Sequence, residues 1–114
     1  MSDVNSLYAE SEKLKDEGKL EGAVAKLMEV LSVDPNHILS LLALAVIYGR
    51  MGKHDQAVQH GEKACELEPT EAFNFTALSV TYQRAWQGTQ NQDYITKAED
   101  AMARAQAIQG TSGH

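Results

Sequence analysis

The feature that most limits the fold of this chain is a repeat of 34 residues. Its two prolines, Pro35 and Pro69, stand 34 positions apart, and the same spacing separates Gly18 from Gly52. The spacing also relates further pairs of identical or similar residues, namely Lys19 and Lys53, Ala23 and Ala57, Val24 and Val58, and Val33 and Leu67. A period of about 20 to 50 residues indicates an array of small structural units that pack side by side.

Each unit contains two apolar patterns with helical spacing. The first predicts a helix that ends before a turn at Gly18 or Gly52, and the second predicts a helix that stops before Pro35 or Pro69. We expect Asn36 and Thr70 to be the N-caps of the helices that follow. The first patterns are Leu7, Ser11 and Leu14, then Leu41, Leu44, Ala45 and Tyr48, then Phe75, Leu78, Ser79 and Tyr82; the second are Ala23, Leu27, Val30 and Leu31, then Ala57, Gly61, Ala64 and Leu67.

The third unit departs from the period by an insertion. Its second pattern contains Ile95, Ala98, Met102 and Ala105, and it fits the repeat only with about seven extra residues near 86–93. This predicts either longer helices or an exposed loop. The predicted repeats lie at about 4–37, 38–71 and 72–109, within one all-α domain at 1–109 that is followed by a flexible tail at 110–114.

Composition excludes several classes of function. The net charge of −6 disfavours DNA and RNA as partners, since it repels phosphate. The single cysteine, Cys65, rules out an intramolecular disulfide and favours a reducing cytoplasm. The most apolar stretch, 38–48, is too short to cross a bilayer, and the first residues do not have the pattern of a signal peptide.

The second unit closely resembles the tetratricopeptide repeat. The resemblance rests on Ala45, Tyr48, the segment 52–58 with the sequence GKHDQAV, and Glu68 followed by Pro69. It covers about residues 4–108 and implies a right-handed superhelix of three antiparallel helix pairs, whose first helices line a concave groove for a partner. Gly61 departs from the family, which prefers a large side chain there; the glycine either weakens its helix or lets a neighbouring ring approach.

The first helices of units two and three carry a second apolar stripe, opposite the stripe that faces the core. The resemblance implies that this second stripe faces the groove, and an exposed apolar stripe indicates an interaction surface. We therefore predict that the protein is an adaptor, scaffold or chaperone-like module that binds a peptide or an amphipathic helix. The alternative is that the chain's own ends or a second copy cover the stripe. The predicted groove residues are Asn5, Tyr8, Glu12, Asp16, Leu39, Leu42, Ala43, Val46, Arg50, Phe73, Thr76, Ala77, Val80 and Arg84.

One subfamily of these repeats binds acidic chaperone tails through lysine, asparagine and arginine. Here Tyr8, Glu12, Ala43, Phe73 and Ala77 stand where those polar groups are needed. We therefore expect no binding of an acidic chaperone tail.

The remaining groups of polar and reactive residues give little indication of a metal-binding or catalytic site. His54, His60 and Cys65 lack the spacing of shared metal ligands, so we predict two exposed helix-surface histidines and a packed cysteine, with no metal and no cofactor. No nucleophile motif or phosphate loop is present, so enzyme activity is disfavoured. Trp86 is interpreted as a cover for the third helix pair, with a partner anchor as the alternative.

Self-assembly is the second function that the sequence suggests. The last helix has Ile95, Ala98, Met102, Ala105 and Ile108 on one side, with no later element to cover it. Exposed apolar ends of repeat arrays favour stacking. A homo-oligomeric structural unit is therefore the alternative to a peptide-binding module, and an enzyme or metal protein is a distant third.

Overall fold

Six α-helices form the whole of the regular structure between residues 3 and 112. A computed structural model describes these residues, with side chains placed from 3 to 110. The helices are α1 at Val4–Asp16, α2 at Leu20–Val33, α3 at Ile38–Arg50, α4 at His54–Leu67, α5 at Ala72–Thr89 and α6 at Asp93–Ser112. They form three pairs in chain order, which confirms the predicted all-α stack.

Glycine closes the turn within each of the first two pairs. Gly18 and Gly52 have φ angles of +79° and +77°, a region that other residues avoid because of their Cβ atom. Immediately after each glycine, the amide of Lys19 or Lys53 donates a hydrogen bond of 2.8 Å to the carbonyl of Leu14 or Tyr48. The glycine thus satisfies the end of one helix and directs the chain into the next.

Replacement of Gly52 by alanine tests this account. We expect Gly52→Ala to lower the free energy of unfolding by about 1 kcal/mol, because the backbone is strained for any residue with a Cβ atom. Urea unfolding measures the change. Gly110→Ala is the control, since Gly110 lies within α6 with open space around it and should not lose stability. Equal stability of Gly52→Ala and the wild type would contradict the account.

The caps of α3 and α5 lie one residue later than predicted. His37 is the N-cap of α3, where its Nδ1 accepts a hydrogen bond of 3.3 Å from the amide of Ser40. Glu71 is the N-cap of α5 and accepts from the amide of Phe73 at 3.3 Å. The prediction of Asn36 and Thr70 is wrong because the turn after each proline takes one more residue before the helical conformation begins.

The core lies between the pairs as two groups of buried side chains. One group joins the first and second pairs, and the other joins the second and third pairs. The first consists of Ala23, Leu27, Leu44 and Ile47, and the second of Val58, Cys65, Leu78, Tyr82, Ala85, Ala98 and Ala101. Each pair therefore buries its apolar faces against its neighbour, as solenoid packing requires.

Gly61 brings α4 close to both neighbouring helices. A Cβ atom at this position would lie 3.1 Å from Cδ1 of Leu78 and 3.7 Å from Cβ of Ala45. The residue that approaches is thus the aliphatic Leu78 on α5, and not an aromatic ring. The lack of a side chain at Gly61 therefore allows α4 to pack closely against α3 and α5.

The insertion in the third unit lengthens its helices and does not form a protruding loop. The helix α5 has 18 residues, whereas α1 and α3 have 13 each, and the turn before α6 contains only Gln90, Asn91 and Gln92. The helix α6 has 20 residues and ends at Ser112, so residues 110–112 are helical instead of belonging to a flexible tail. Gly110 does not stop the helix, because glycine weakens a helix without removing a hydrogen-bond donor. Residues 113 and 114 lie outside the described part of the chain.

The alanines of α6 are covered, contrary to the prediction of an open apolar side. Ala98 and Ala105 are buried, and the Ser79 hydroxyl on α5 donates a hydrogen bond of 3.0 Å to the Ala98 carbonyl. Their small size lets α6 pack closely on the long helix α5. Ile95 remains 39% exposed on the flank of this contact.

Candidate functional site

The first helices of the three pairs surround a cleft with a volume of about 220 Å³, which we call the inner cleft. Most of its lining is apolar, and charged residues come only from α1. The lining residues are Tyr8, Ser11, Glu12 and Lys15 on α1, Leu39, Leu42, Ala43, Val46 and Ile47 on α3, and Phe73 and Ala77 on α5.

Two large apolar side chains stand at the rim of the inner cleft. Leu39 is 56% exposed and Phe73 is 63% exposed, and both lie near the N-terminal ends of their helices. Below them Leu42 and Val46 are half-buried. Adjacent exposed apolar groups of this kind are typical of a binding surface.

The structure brings together part of the predicted groove. Tyr8, Glu12, Leu39, Leu42, Ala43, Val46, Phe73 and Ala77 all line the inner cleft. The others lie outside it: Asn5, Asp16, Arg50, Val80 and Arg84 are exposed, and Thr76 is half-buried with its hydroxyl bonded to the Ala72 carbonyl at 3.3 Å. That the predicted groove residues, inside or outside the cleft, contact a partner stays a prediction.

Three lining residues were missed from the sequence. Lys15 lies one helical turn after Ser11 and Glu12, so helical spacing alone could have found it. Ser11 and Ile47 are 2% and 1% exposed and form the base of the cleft. Their helical positions predict core residues, and only the spacing of α1 and α3 shows that they also reach the cleft.

Tyr8 is held in place on the α1 side of the inner cleft. Its ring lies 5.8 Å from the ring of His37, the cap of α3. Burial, together with hydrogen bonding and charge from Glu12, raises the pKa of the Tyr8 phenol. The phenol is therefore a neutral hydrogen-bonding group at the edge of the cleft.

Arg50 and Arg84 lie beyond one end of the inner cleft. They occupy equivalent positions in successive pairs, and both side chains are exposed. A Cβ atom at Gly49 would lie 3.7 Å from Cδ of Arg84, so the arginine stem rests on the last turn of α3. Within residues 3–112 neither arginine forms an ion pair with a carboxylate.

The histidines and the cysteine do not converge. Cys65 is buried in the core as predicted, and Nδ1 of His60 bonds the Gln56 carbonyl at 2.7 Å. His54 is not a simple surface residue, because its ring packs against Gly88 on the lengthened α5, and its Nδ1 is buried with no hydrogen-bond partner in the described structure. Among the described residues, no group of three or more His, Cys, Asp or Glu side chains could hold a metal ion.

The most strongly shifted titrations belong to buried groups of the core. Burial raises the pKa of the Cys65 thiol to about 11, and Glu62 adds to the effect. Burial also raises the pKa of Tyr82, whose hydroxyl donates a hydrogen bond to Glu62 on α4. A thiol that resists ionisation is a poor nucleophile, so these shifts point to packing and not to catalysis.

These shifts predict loss of stability in alkali. Both groups are neutral when protonated and have a pKa above that of the unfolded chain, so their contribution is complete below about pH 9 and declines as the pH rises towards about 11. Urea unfolding at about pH 8 and about pH 10.5 measures this decline. We expect a smaller decline in the double variant Cys65→Ala/Tyr82→Phe. An identical decline in the variant would contradict this assignment.

Two further features of the sequence, the tryptophan and the apolar stretches, can be located in the structure. Trp86 is half-buried in the lengthened part of α5, where its carbonyl accepts a hydrogen bond of 2.7 Å from the amide of Gln90. Among the described helices, none combines the length and the apolar character that a membrane span requires.

Together the three helix pairs form an α-solenoid, and their first helices line the inner cleft. The family model for the tetratricopeptide repeat matches residues 26–59, from the middle of α2 to the first turns of α4. The matched segment therefore has the sequence pattern of one tetratricopeptide repeat. Such repeats are typically protein-interaction modules without enzymatic activity.

Similar proteins share the fold over most of the chain. The crystal structure of MamA superposes with a TM-score of 0.80 at 16% identity, over 97% of this chain and 61% of that one. The type III secretion translocator chaperone SycD of Yersinia enterocolitica gives a TM-score of 0.79 at 19% identity, over 96% of this chain and 79% of that one. The first repeat domain of Spaghetti (RPAP3), solved with an HSP90 peptide, gives 0.64 at 15% identity, over 94% and 93%.

One curated sequence is also similar. Protein CTR9 homolog of Arabidopsis thaliana is 34% identical over 61 residues, which are 54% of this chain. The chain spans only 6% of the length of that relative. The match therefore indicates a shared repeat, and it carries no information about the activity of the larger protein.

Proposed function

We propose that this protein is an interaction module, an adaptor or a chaperone-like holder, that binds a segment of a partner protein in the inner cleft. The observation that carries the proposal is the pair of exposed side chains Leu39 and Phe73 above an apolar cleft. Covering an apolar side chain contributes about 1.5 to 3 kcal/mol when it is fully exposed beforehand. These two, each somewhat more than half exposed, therefore supply roughly half that amount each to binding.

Glutamate substitutions in the floor of the inner cleft test the proposal. We expect Leu42→Glu/Val46→Glu to abolish partner capture from a native lysate, because two carboxylates would have to be buried in an apolar contact. The readout is affinity capture followed by mass spectrometry of the retained proteins. Circular dichroism checks that the variant still unfolds cooperatively.

The matched control places the same charges outside the cleft. Met28 and Val33 on α2 are 46% and 64% exposed and do not line the inner cleft. Met28→Glu/Val33→Glu should retain the captured partner. Capture that survives in Leu42→Glu/Val46→Glu would end the proposal.

Homo-oligomeric assembly is the second candidate. It is favoured by Ile95 on α6 and Val80 on α5, which are 39% and 40% exposed. Light scattering across a range of concentrations distinguishes the candidates. A mass that stays at that of one chain would remove the assembly candidate, and a dimer that Ile95→Glu dissociates would support it.

Several finer features belong to the same proposal. A binding module of this kind needs no cofactor and no metal, and the raised pKa of Cys65 supports a role without catalysis. We infer that the protein works in the cytoplasm, since its one cysteine is a free thiol. The net charge of −6 favours a protein over a nucleic acid as partner.

A further inference from the structure

The exposed apolar side chains are concentrated at one edge of the stack. Seven large apolar side chains are exposed within residues 3–110, and four of them adjoin the two connections between helix pairs. These four are Val33 and Leu39 at the first connection, and Leu67 and Phe73 at the second. The turns at Gly18 and Gly52, which lie at the opposite edge, have none of the seven. We call the segments 33–39 and 67–73 together the connection edge.

Both connections present the same pattern of residues. An exposed apolar residue is followed by a carboxylate, an exposed proline, three further residues and a second exposed apolar residue, in the sequences VDPNHIL and LEPTEAF. Each connection is closed by a hydrogen bond, from the His37 amide to the Asp34 carbonyl at 3.2 Å and from the Glu71 amide to the Glu68 carbonyl at 3.3 Å. The connection edge is thus an ordered surface, and ordering before binding lowers the entropy that binding costs.

The side-chain charge of the connection edge is negative. The two segments contain Asp34, Glu68 and Glu71, and none of the ten lysines and arginines of the chain. The last turns of α2 and α4, which end at this edge, contain no basic residue either. The helix dipoles largely cancel there, because the negative ends of α2 and α4 alternate with the positive ends of α3 and α5. The edge therefore attracts a positively charged partner and repels anionic lipids and nucleic acids.

We propose that the connection edge is a second docking surface, and that its occupant is a segment of a partner protein in which lysines or arginines stand next to apolar residues. The basic side chains would pair with Asp34 and Glu68, and the apolar side chains would cover Val33 and Leu67. These four residues do not line the inner cleft. The proposal therefore goes beyond the proposed function and holds for an empty or an occupied cleft.

A second copy of this chain fits the connection edge less well than a basic segment does. A symmetric contact between two such edges would bring the carboxylates of Asp34, Glu68 and Glu71 close to those of the other copy. Like charges at close range oppose association. The occupant is therefore a different, basic chain.

Labelled synthetic peptides test the proposal by fluorescence anisotropy at low ionic strength. The probe is a peptide of about twelve residues in which pairs of lysines alternate with pairs of leucines, which is long enough when extended to reach both connections. A second peptide has glutamates in place of the lysines, and a third has serines in place of the leucines. We expect the probe to bind, the glutamate peptide not to bind, and the serine peptide to bind about tenfold more weakly than the probe.

Neutral variants of the protein test the charges of the edge. Asp34→Asn/Glu68→Gln should weaken binding of the probe about fivefold, because it removes two carboxylates. It keeps a side-chain oxygen at position 34, which accepts a hydrogen bond from the Asn36 amide. The matched control is Asp16→Asn/Glu21→Gln, which removes the same two charges at the opposite edge and should change the affinity less than about twofold.

The apolar part of the edge is tested by Val33→Ser/Leu67→Ser, which should weaken binding of the probe about tenfold. The two side chains are 64% and 37% exposed at the ends of their helices, so the core keeps its packing. Unchanged affinity in either edge variant, an equal loss in the control at the opposite edge, or no binding of the probe would overturn the proposal. The inner cleft is scored separately by capture with Leu42→Glu/Val46→Glu, so failure at the connection edge leaves the proposed function standing.

Discussion

Replacement of Gly61 by leucine should destabilise the protein by about 3 kcal/mol. A Cβ atom alone would lie 3.1 Å from Cδ1 of Leu78 and 3.7 Å from Cβ of Ala45, so the rest of a leucine side chain has no space between α3, α4 and α5. The gain in helix propensity over glycine, about 1 kcal/mol, is too small to offset this clash. Urea unfolding measures the loss.

Leu78, the residue that would clash with a leucine at position 61, provides the decisive second variant. Gly61→Leu/Leu78→Ala restores space, so the double variant should be more stable than the sum of the two single losses predicts. Gly110→Leu is the control, because that helical glycine has open space around it. A Gly61→Leu protein as stable as the wild type would show that α4 can move away from α5 at little cost.

Truncation of Leu44 should weaken the contact between the first and second pairs. Leu44 is fully buried beside Ala23, Leu27 and Ile47, and Leu44→Ala should lower the free energy of unfolding by about 3 kcal/mol. Stability in stacked repeats is a sum of unit and interface contributions. The first pair should therefore unfold separately, with a lower denaturant dependence for each step.

Hydrogen exchange distinguishes local from global weakening in this variant. The amides of α1 and α2 should lose protection before those of α5 and α6. Leu39→Ala is a matched control, since it removes the same atoms from the same helix at a side chain that is 56% exposed. Uniform loss of protection along the chain would contradict an interface that unfolds independently.

The sequence predicted the helix pairs because their ends depend on single residues. Gly18 and Gly52 adopt a conformation that favours glycine, and Pro35 and Pro69 limit the helices before them, so both signals are local. The caps were misplaced by one residue. Histidine and glutamate at those positions act through side-chain contacts with Ser40 and Phe73 that composition does not reveal.

The inner cleft was only partly predictable, since it depends on distances between helices. The stripe that contains Leu42, Val46 and Phe73 follows from the helical period alone. In contrast, Thr76 and Val80 on α5 fall outside the cleft although they occupy the positions equivalent to Leu42 and Val46, because within residues 3–112 no further helix pair lies beside the third pair. The 34-residue period also revealed an insertion in the third unit, but it did not show whether this insertion lengthens α5 and α6 or forms a loop.

Because Cys65 is buried, its reaction with a thiol reagent can report transient opening of the structure. The thiol lies 5% exposed between the second and third pairs, and its raised pKa keeps it largely un-ionised near neutral pH. A sulfhydryl reagent can reach it only when those pairs separate, so the rate of modification counts opening events of this one contact. A ligand that bridges α3 and α5 would slow that rate, and the slowing could be followed in the unaltered protein without any attached label.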